Sequence, residues 1–175
     1  MTTPHETLPD MTRSSYTKND NSLRIYLASS WKNPFQEDIL KRLRAKGFDV
    51  YDFKNPEPGD LGFSWKDLDA EPRPWTLDKS REVLSHTIAY DAFKLDYSAL
   101  RDAEAVVLLL PCGNDAHMEA AWAAARGINV AVYCDAVVKF EPSLMWKLLG
   151  PTKDILLTNF AKLVKLLQEW ESFKA

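Results

Sequence analysis

Ala105-Val106-Val107-Leu108-Leu109-Leu110 is apolar at every position, with Glu104 before it and Pro111 after it. A strand with one wet face alternates apolar and polar residues, so an unbroken apolar run of this length marks a central parallel strand covered on both faces. The sequence downstream continues in kind. A loop at Pro111–Asp115 leads into an alanine-rich helix that ends at Arg126-Gly127, and Asn129–Tyr133 is a further strand. Asp154–Leu157 offers a last short strand, and Asn159–Phe173 is an amphipathic helix with Phe160, Leu163, Val164 and Leu167 on one face. Upstream, Leu23–Ala28 is a strand followed by the polar loop Ser29–Asn33. Pro34 suits a first helical position, Phe35, Ile39, Leu40 and Leu43 recur at helical spacing, and Gly47 stops that helix before a strand at Phe48–Phe53. This alternation is the α/β signature, a parallel sheet of about five strands with helices on both faces.

One stretch departs from the pattern. Lys54–Pro74 carries Pro56, Pro58, Pro72, Pro74, Gly59 and Gly62, with Trp65 and Trp75 among acidic residues. So long a loop in a compact domain is usually functional, and its aromatics favour a packed lid. Thr76–Leu100 reads as helical, broken near His86, so the insert as a whole runs over about 54–90. Residues 1–22 are poor in aliphatics and read as a flexible tail, leaving 23–175 as one domain.

The 175 residues carry 22 Lys+Arg against 25 Asp+Glu, a net charge of −3, which argues against nucleic acid as a partner. No apolar run approaches the roughly 20 residues that span a bilayer. With no apolar leader segment and only Cys112 and Cys134, the expected location is the cytoplasm.

In open α/β sheets the ligand sits beyond the carboxyl ends of the strands, where strand order reverses. The loops expected there are Ser29–Asn33 and Pro111–Asp115. Neither contains a dinucleotide or triphosphate cradle, and no cofactor is expected. Asn114 or Asp115 can cap the helix that follows. Glu119 then lies about one turn in, where the N-terminal amides favour an ionised carboxylate and suit it to nucleophilic attack. Asp91 and Asp96 fall near the end of the preceding helix, where an acid opposes the dipole and needs a reason. Two rival chemistries arise from the same loops. Cys112 with His117 is a possible thiolate pair, and adding Cys134 and Asp135 gives a possible zinc set, although no metal-ligand spacing supports it and no metal is expected.

Ile25-Tyr26-Leu27-Ala28-Ser29-Ser30, Asp96 upstream of Glu104 and the central strand, and the Gly-containing loop before Glu119 together resemble the nucleoside 2-deoxyribosyltransferase family. The resemblance covers Leu23–Phe53 and Asp91–Tyr133. It departs from the family at Ala103-Glu104, at Ala120-Ala121 and throughout the insert. It implies a flavodoxin-like sheet and cleavage or transfer at the N-glycosidic bond of a (deoxy)nucleoside through a covalent glycosyl-glutamate. By position it assigns Glu119 as the carboxylate that attacks C1′, Tyr26 as the tyrosine that orients it, and Asp96 as the acid that assists the leaving base. It places Ser29, Ser30, Gly113 and Asn114 against sugar or 5′-phosphate. It also implies a homo-oligomer, dimer or higher, in which the alanine-rich helix and Leu144–Leu149 supply contacts. Trp31, Trp65 and Trp75 are expected to form an aromatic lid over the base, with Trp122 and Trp146 in the core. Hydrolysis of a nucleoside 5′-monophosphate at the same site, or a nucleotide sensor without catalysis, are the alternatives. Lys32 is the only cation in the two loops, which favours a neutral nucleoside.

Overall fold

The computed structural model describes residues 22–56, 59–70, 74–135, 138–139 and 142–173. Most of the expected tail, residues 1–21, lies outside the described residues. Ser22, assigned to it, is buried, and the Leu23 amide donates to Glu171 Oε1 (2.7 Å), so packing begins one residue earlier than expected.

Five strands form one parallel sheet: β1 (Arg24–Ala28), β2 (Asp49–Tyr51), β3 (Ala105–Leu109), β4 (Asn129–Tyr133) and β5 (Leu156–Leu157). Their order, β2-β1-β3-β4-β5, is that of a flavodoxin-like open sheet. All five residues of β3 are buried because its side chains serve two layers in turn. Ala105, Val107 and Leu109 pack with Ile39, Leu40 and Leu43 of α1 (Gln36–Arg44) and with Leu163, Val164 and Leu167 of α6 (Phe160–Ser172). Val106 and Leu108 pack on the other face with Ala116, Ala120 and Ala123 of α4 (Asn114–Ala125). Alanines here let α4 lie close on the sheet. Glu104 fastens β3 to β1, accepting from the Arg24 amide (2.9 Å) and pairing with its guanidinium (3.2 Å).

Several boundaries differ from the sequence reading. Pro34 precedes α1 instead of opening it. The Phe35 amide is taken by Asn33 Oδ1 (2.8 Å), which makes a turn of residues that looked helical. β2 is three residues long, and Asp154 sits in the short helix α5 (Thr152–Ile155), so β5 is only two. The break near His86 is real: α2 (Leu77–Leu84) ends there, and His86 Nδ1 caps α3 (Thr87–Asp102) by accepting from the Ile88 amide (3.2 Å). Asp96 is therefore in mid-helix and not near an end.

The first part of the insert is built around a single helical turn, Trp65–Asp67, closed by a reciprocal Ser64–Asp67 capping box. Gly62 enters it at φ +67°, and a Cβ there would strike the Phe53 carbonyl oxygen, so only glycine lets the insert lie against the end of β2. Among the described residues no helix is long and apolar enough to cross a membrane.

Candidate active site

The chain leaves β1 toward β2 and leaves β3 toward β4, so the crevice opens at the carboxyl ends of these two neighbours. Tyr26 of β1 and Tyr51 of β2 are register partners on adjacent strands, and their rings stack with centroids 5.4 Å apart and planes 17° from parallel. Each hydroxyl holds one carboxylate. Tyr26 donates to Glu119 Oε1 (2.9 Å), and Tyr51 donates to Asp96 Oδ1 (2.9 Å). The sheet thus supplies a stacked pair of donors, while α4 and α3 supply the two acids. Gly113, in extended conformation, is the N-cap of α4. Asn114 and Asp115 are its first helical residues, and neither caps it as expected.

Glu119, Asp96, Tyr26 and Asp115 line one cleft of 390 Å³. Its other walls are largely aromatic: Phe63 and Trp65 from the insert, and Tyr90, Phe93 and Tyr97 from α3. No Lys or Arg is among the described lining residues.

Burial pushes Glu119 up to about 7, with Asp96 and Asp115 adding to the rise and the Tyr26 hydrogen bond opposing it. The place of Glu119 one turn into α4, where the N-terminal amides favour the ionised form, does not offset this burial. Burial also pushes Asp96 up to about 6, the Tyr51 hydrogen bond opposing it and Asp60 adding to it. Both tyrosines are themselves raised, chiefly by burial and then by Asp96, and so remain protonated donors.

Cys112 Sγ does lie 3.5 Å from His117 Nδ1, but burial and then Glu119 push the thiol up to about 12. A thiolate pair is therefore disfavoured at neutral pH. His117 Nδ1 is 2.9 Å from the Gly113 carbonyl oxygen, and its ring stacks on Trp146. Among the described residues no group of three or more His, Cys, Asp or Glu side chains gathers in a way that holds a metal.

The remaining expected binding residues divide into two groups. Ser29 and Ser30 are engaged by backbone groups, Ser29 Oγ donating to the Leu109 carbonyl at the end of β3 (3.3 Å) and Ser30 Oγ accepting from the Lys32 amide of its own loop (3.2 Å). Gly113 and Asn114 are exposed at the start of α4 and do not line the cleft. Of the three lid tryptophans only Trp65 lines it. Trp75 stands edge-on behind Trp65 (5.3 Å) and donates to Asp69 Oδ2. Trp31 is 44% exposed and packs edge-on against Phe53, with Lys54 over its ring, so it is not part of the lid. Trp146 is buried, as expected, whereas Trp122 is only partly buried, against Tyr97.

Sequence reasoning missed Tyr51, Asp115 as a lining residue, and Asn33. Asn33 Nδ2 donates to the carbonyls of Leu109 (3.2 Å) and Pro111 (3.1 Å), pinning the two switch-point loops together. Tyr51 and the Asn33 amide group act on partners 45 and at least 76 positions away, so nothing local marks those roles. No known family model and no curated protein matches the chain.

Proposed function

We propose that this cleft cleaves or transfers at the N-glycosidic bond of a (deoxy)nucleoside through a covalent glycosyl-Glu119 intermediate. The observation that carries the reading is the pair of carboxylates, each bonded to a stacked tyrosine, in one cleft at the strand switch point. The C1′–N bond breaks through an oxocarbenium-like state, which a nearby carboxylate stabilises and then captures. Glu119 supplies that carboxylate, Tyr26 fixes its free oxygen by holding the other, and Asp96 gives a proton to a departing neutral base. Water or a second base then attacks C1′ from the opposite side and releases Glu119, giving hydrolysis or transfer.

Two features refine the reading. A 5′-phosphate wants a cation, and the described lining has none, which favours an unphosphorylated nucleoside over a monophosphate. Leu84, Tyr90, Phe93 and Met118 are large, exposed and on the cleft rim, and Leu144, Met145 and Leu148 form a second exposed apolar set. Both suit burial against another copy in a homo-oligomer. The free thiols of Cys112 and Cys134 suit a reducing cytoplasm.

The test is incubation of the protein and its Glu119→Gln variant with a nucleoside panel, with and without a free acceptor base, followed by chromatography for released base and new nucleoside. Base release that vanishes in Glu119→Gln is the expected result. No release from any nucleoside, or release unaltered in the variant, would refute the reading.

A further inference from the structure

The cleft has an unusual balance of groups. Phe63 meets Trp65 edge-on on one side (4.9 Å), and Phe93 stacks on Tyr97 on the other (5.6 Å). Between these aromatic pairs the charged lining is three carboxylates, Glu119, Asp96 and Asp115, with no Lys or Arg among the described lining residues. Lys94 lies near the Tyr90 ring on the rim, but its ammonium is taken by Asp91 (2.6 Å). Aromatic faces attract cations through their quadrupoles, and carboxylates do so through charge. A neutral base would leave the repulsion among these carboxylates uncompensated. A cationic ring that stacks on the aromatics satisfies both kinds of wall.

Resting on the glycosyl-Glu119 reading, we infer that the cleft takes a nucleoside whose heteroaromatic base carries a positive charge, a pyridinium or an N-alkylated purinium. The chemistry closes without a proton donor. A Glu119 oxygen bonds to C1′, the C1′–N bond breaks, and its electron pair passes to the ring nitrogen, so the base leaves neutral. Water then adds to C1′, the ester bond returns its electron pair to Glu119, and the released proton passes to Asp96 or to solvent. Asp96 is the counter-charge to the bound ring in this reaction.

The experiment separates binding from turnover. Dissociation constants are measured by tryptophan fluorescence or ligand NMR for 1-methylnicotinamide, a cation, and nicotinamide, its neutral counterpart. They are measured with the native chain, Asp96→Asn and Asp115→Asn. In parallel, nicotinamide riboside and 7-methylguanosine are compared with neutral-base deoxynucleosides for base release. The expected result is that the cation binds about tenfold tighter or better and that either substitution narrows the gap. Equal binding of the two probes, or tighter binding of nicotinamide, overturns the inference, and it does so even if neutral nucleosides are cleaved through Glu119. Selective cation binding with no base released from any nucleoside leaves the receptor chemistry standing and refutes the glycosyl-enzyme reading instead.

Discussion

The two halves of the cleft are built alike and titrate differently. In one half Tyr26 of β1 holds Glu119 of α4, and in the other Tyr51 of β2 holds Asp96 of α3, with the same 2.9 Å bond in each. Both acids are raised mainly by burial, Glu119 to about 7 and Asp96 to about 6. Equal hydrogen bonds therefore do not equalise the acids. Part of the gap is the ordinary difference between a glutamate and an aspartate, 4.5 against 3.8. Their charged neighbours also differ: Asp96 and Asp115 add to the rise of Glu119, and Asp60 adds to that of Asp96. The two acids thus share one kind of tyrosine partner and differ in identity and in charged neighbours.

The largest expected effect breaks the likeness outright. Glu119→Gln keeps the side chain's size and a hydrogen-bond partner for Tyr26 but removes the nucleophile. Turnover should fall by about a thousandfold or more, with circular dichroism unchanged. Loss of the folded signal would assign Glu119 to structure.

Asp96→Asn comes next and splits by substrate. Nucleosides with poor neutral leaving bases should lose about a hundredfold, since only they draw on a proton from this residue. Activated neutral leaving groups should change by only a few fold. Equal losses across leaving groups would show that Asp96 acts through structure alone.

Exchanging the tyrosines sharpens the comparison. A hydrogen bond donated to a carboxylate favours its ionised form, so removing it raises the carboxyl pKa. Tyr51→Phe should move Asp96 above about 6 and Tyr26→Phe should move Glu119 above about 7, each followed by carboxyl NMR titration, with turnover falling roughly tenfold. If both substitutions shift the same acid, the halves are not independent.

The smallest effect is on stability, and its sign opposes the effect on activity. A carboxyl raised in the folded state binds more protons folded than unfolded, so its contribution to stability is fully present below about 4.5 and is lost as pH rises from there through about 7. Glu119→Gln should therefore stabilise the fold at pH 8 by about 1 kcal/mol, a value kept small because the side chain is partly exposed and water screens it. The gain should vanish at pH 4, and thermal unfolding at the two pH values measures it.

How much of this was legible follows from how far each interaction reaches along the chain. The all-apolar Ala105–Leu110, the glycine stop at Gly47 and the break at His86 express local backbone and burial preferences, and the structure reproduces all three. Pro34 misled because Asn33 Oδ1 takes the Phe35 amide and makes a turn where proline alone suggests a helix start. Asp96 was singled out because an acid near a helix end is costly. It proves to be mid-helix, and burial and Tyr51 are what distinguish it.

By itself, then, the sequence determined the alternation of strands and helices and the doubly covered central strand. These depend on residues within a turn or two of one another, whose apolar spacing must match a helix or a strand to be buried at all. Tertiary structure alone decided that Tyr51 meets Asp96 across 45 positions of sequence and stacks on Tyr26, that Asn33 ties the two loops, and that of the three lid tryptophans only Trp65 reaches the cleft. Each depends on strand register and on where the insert folds back against β2. Such long-range contacts have no local energetic signature until the sheet has brought their partners together.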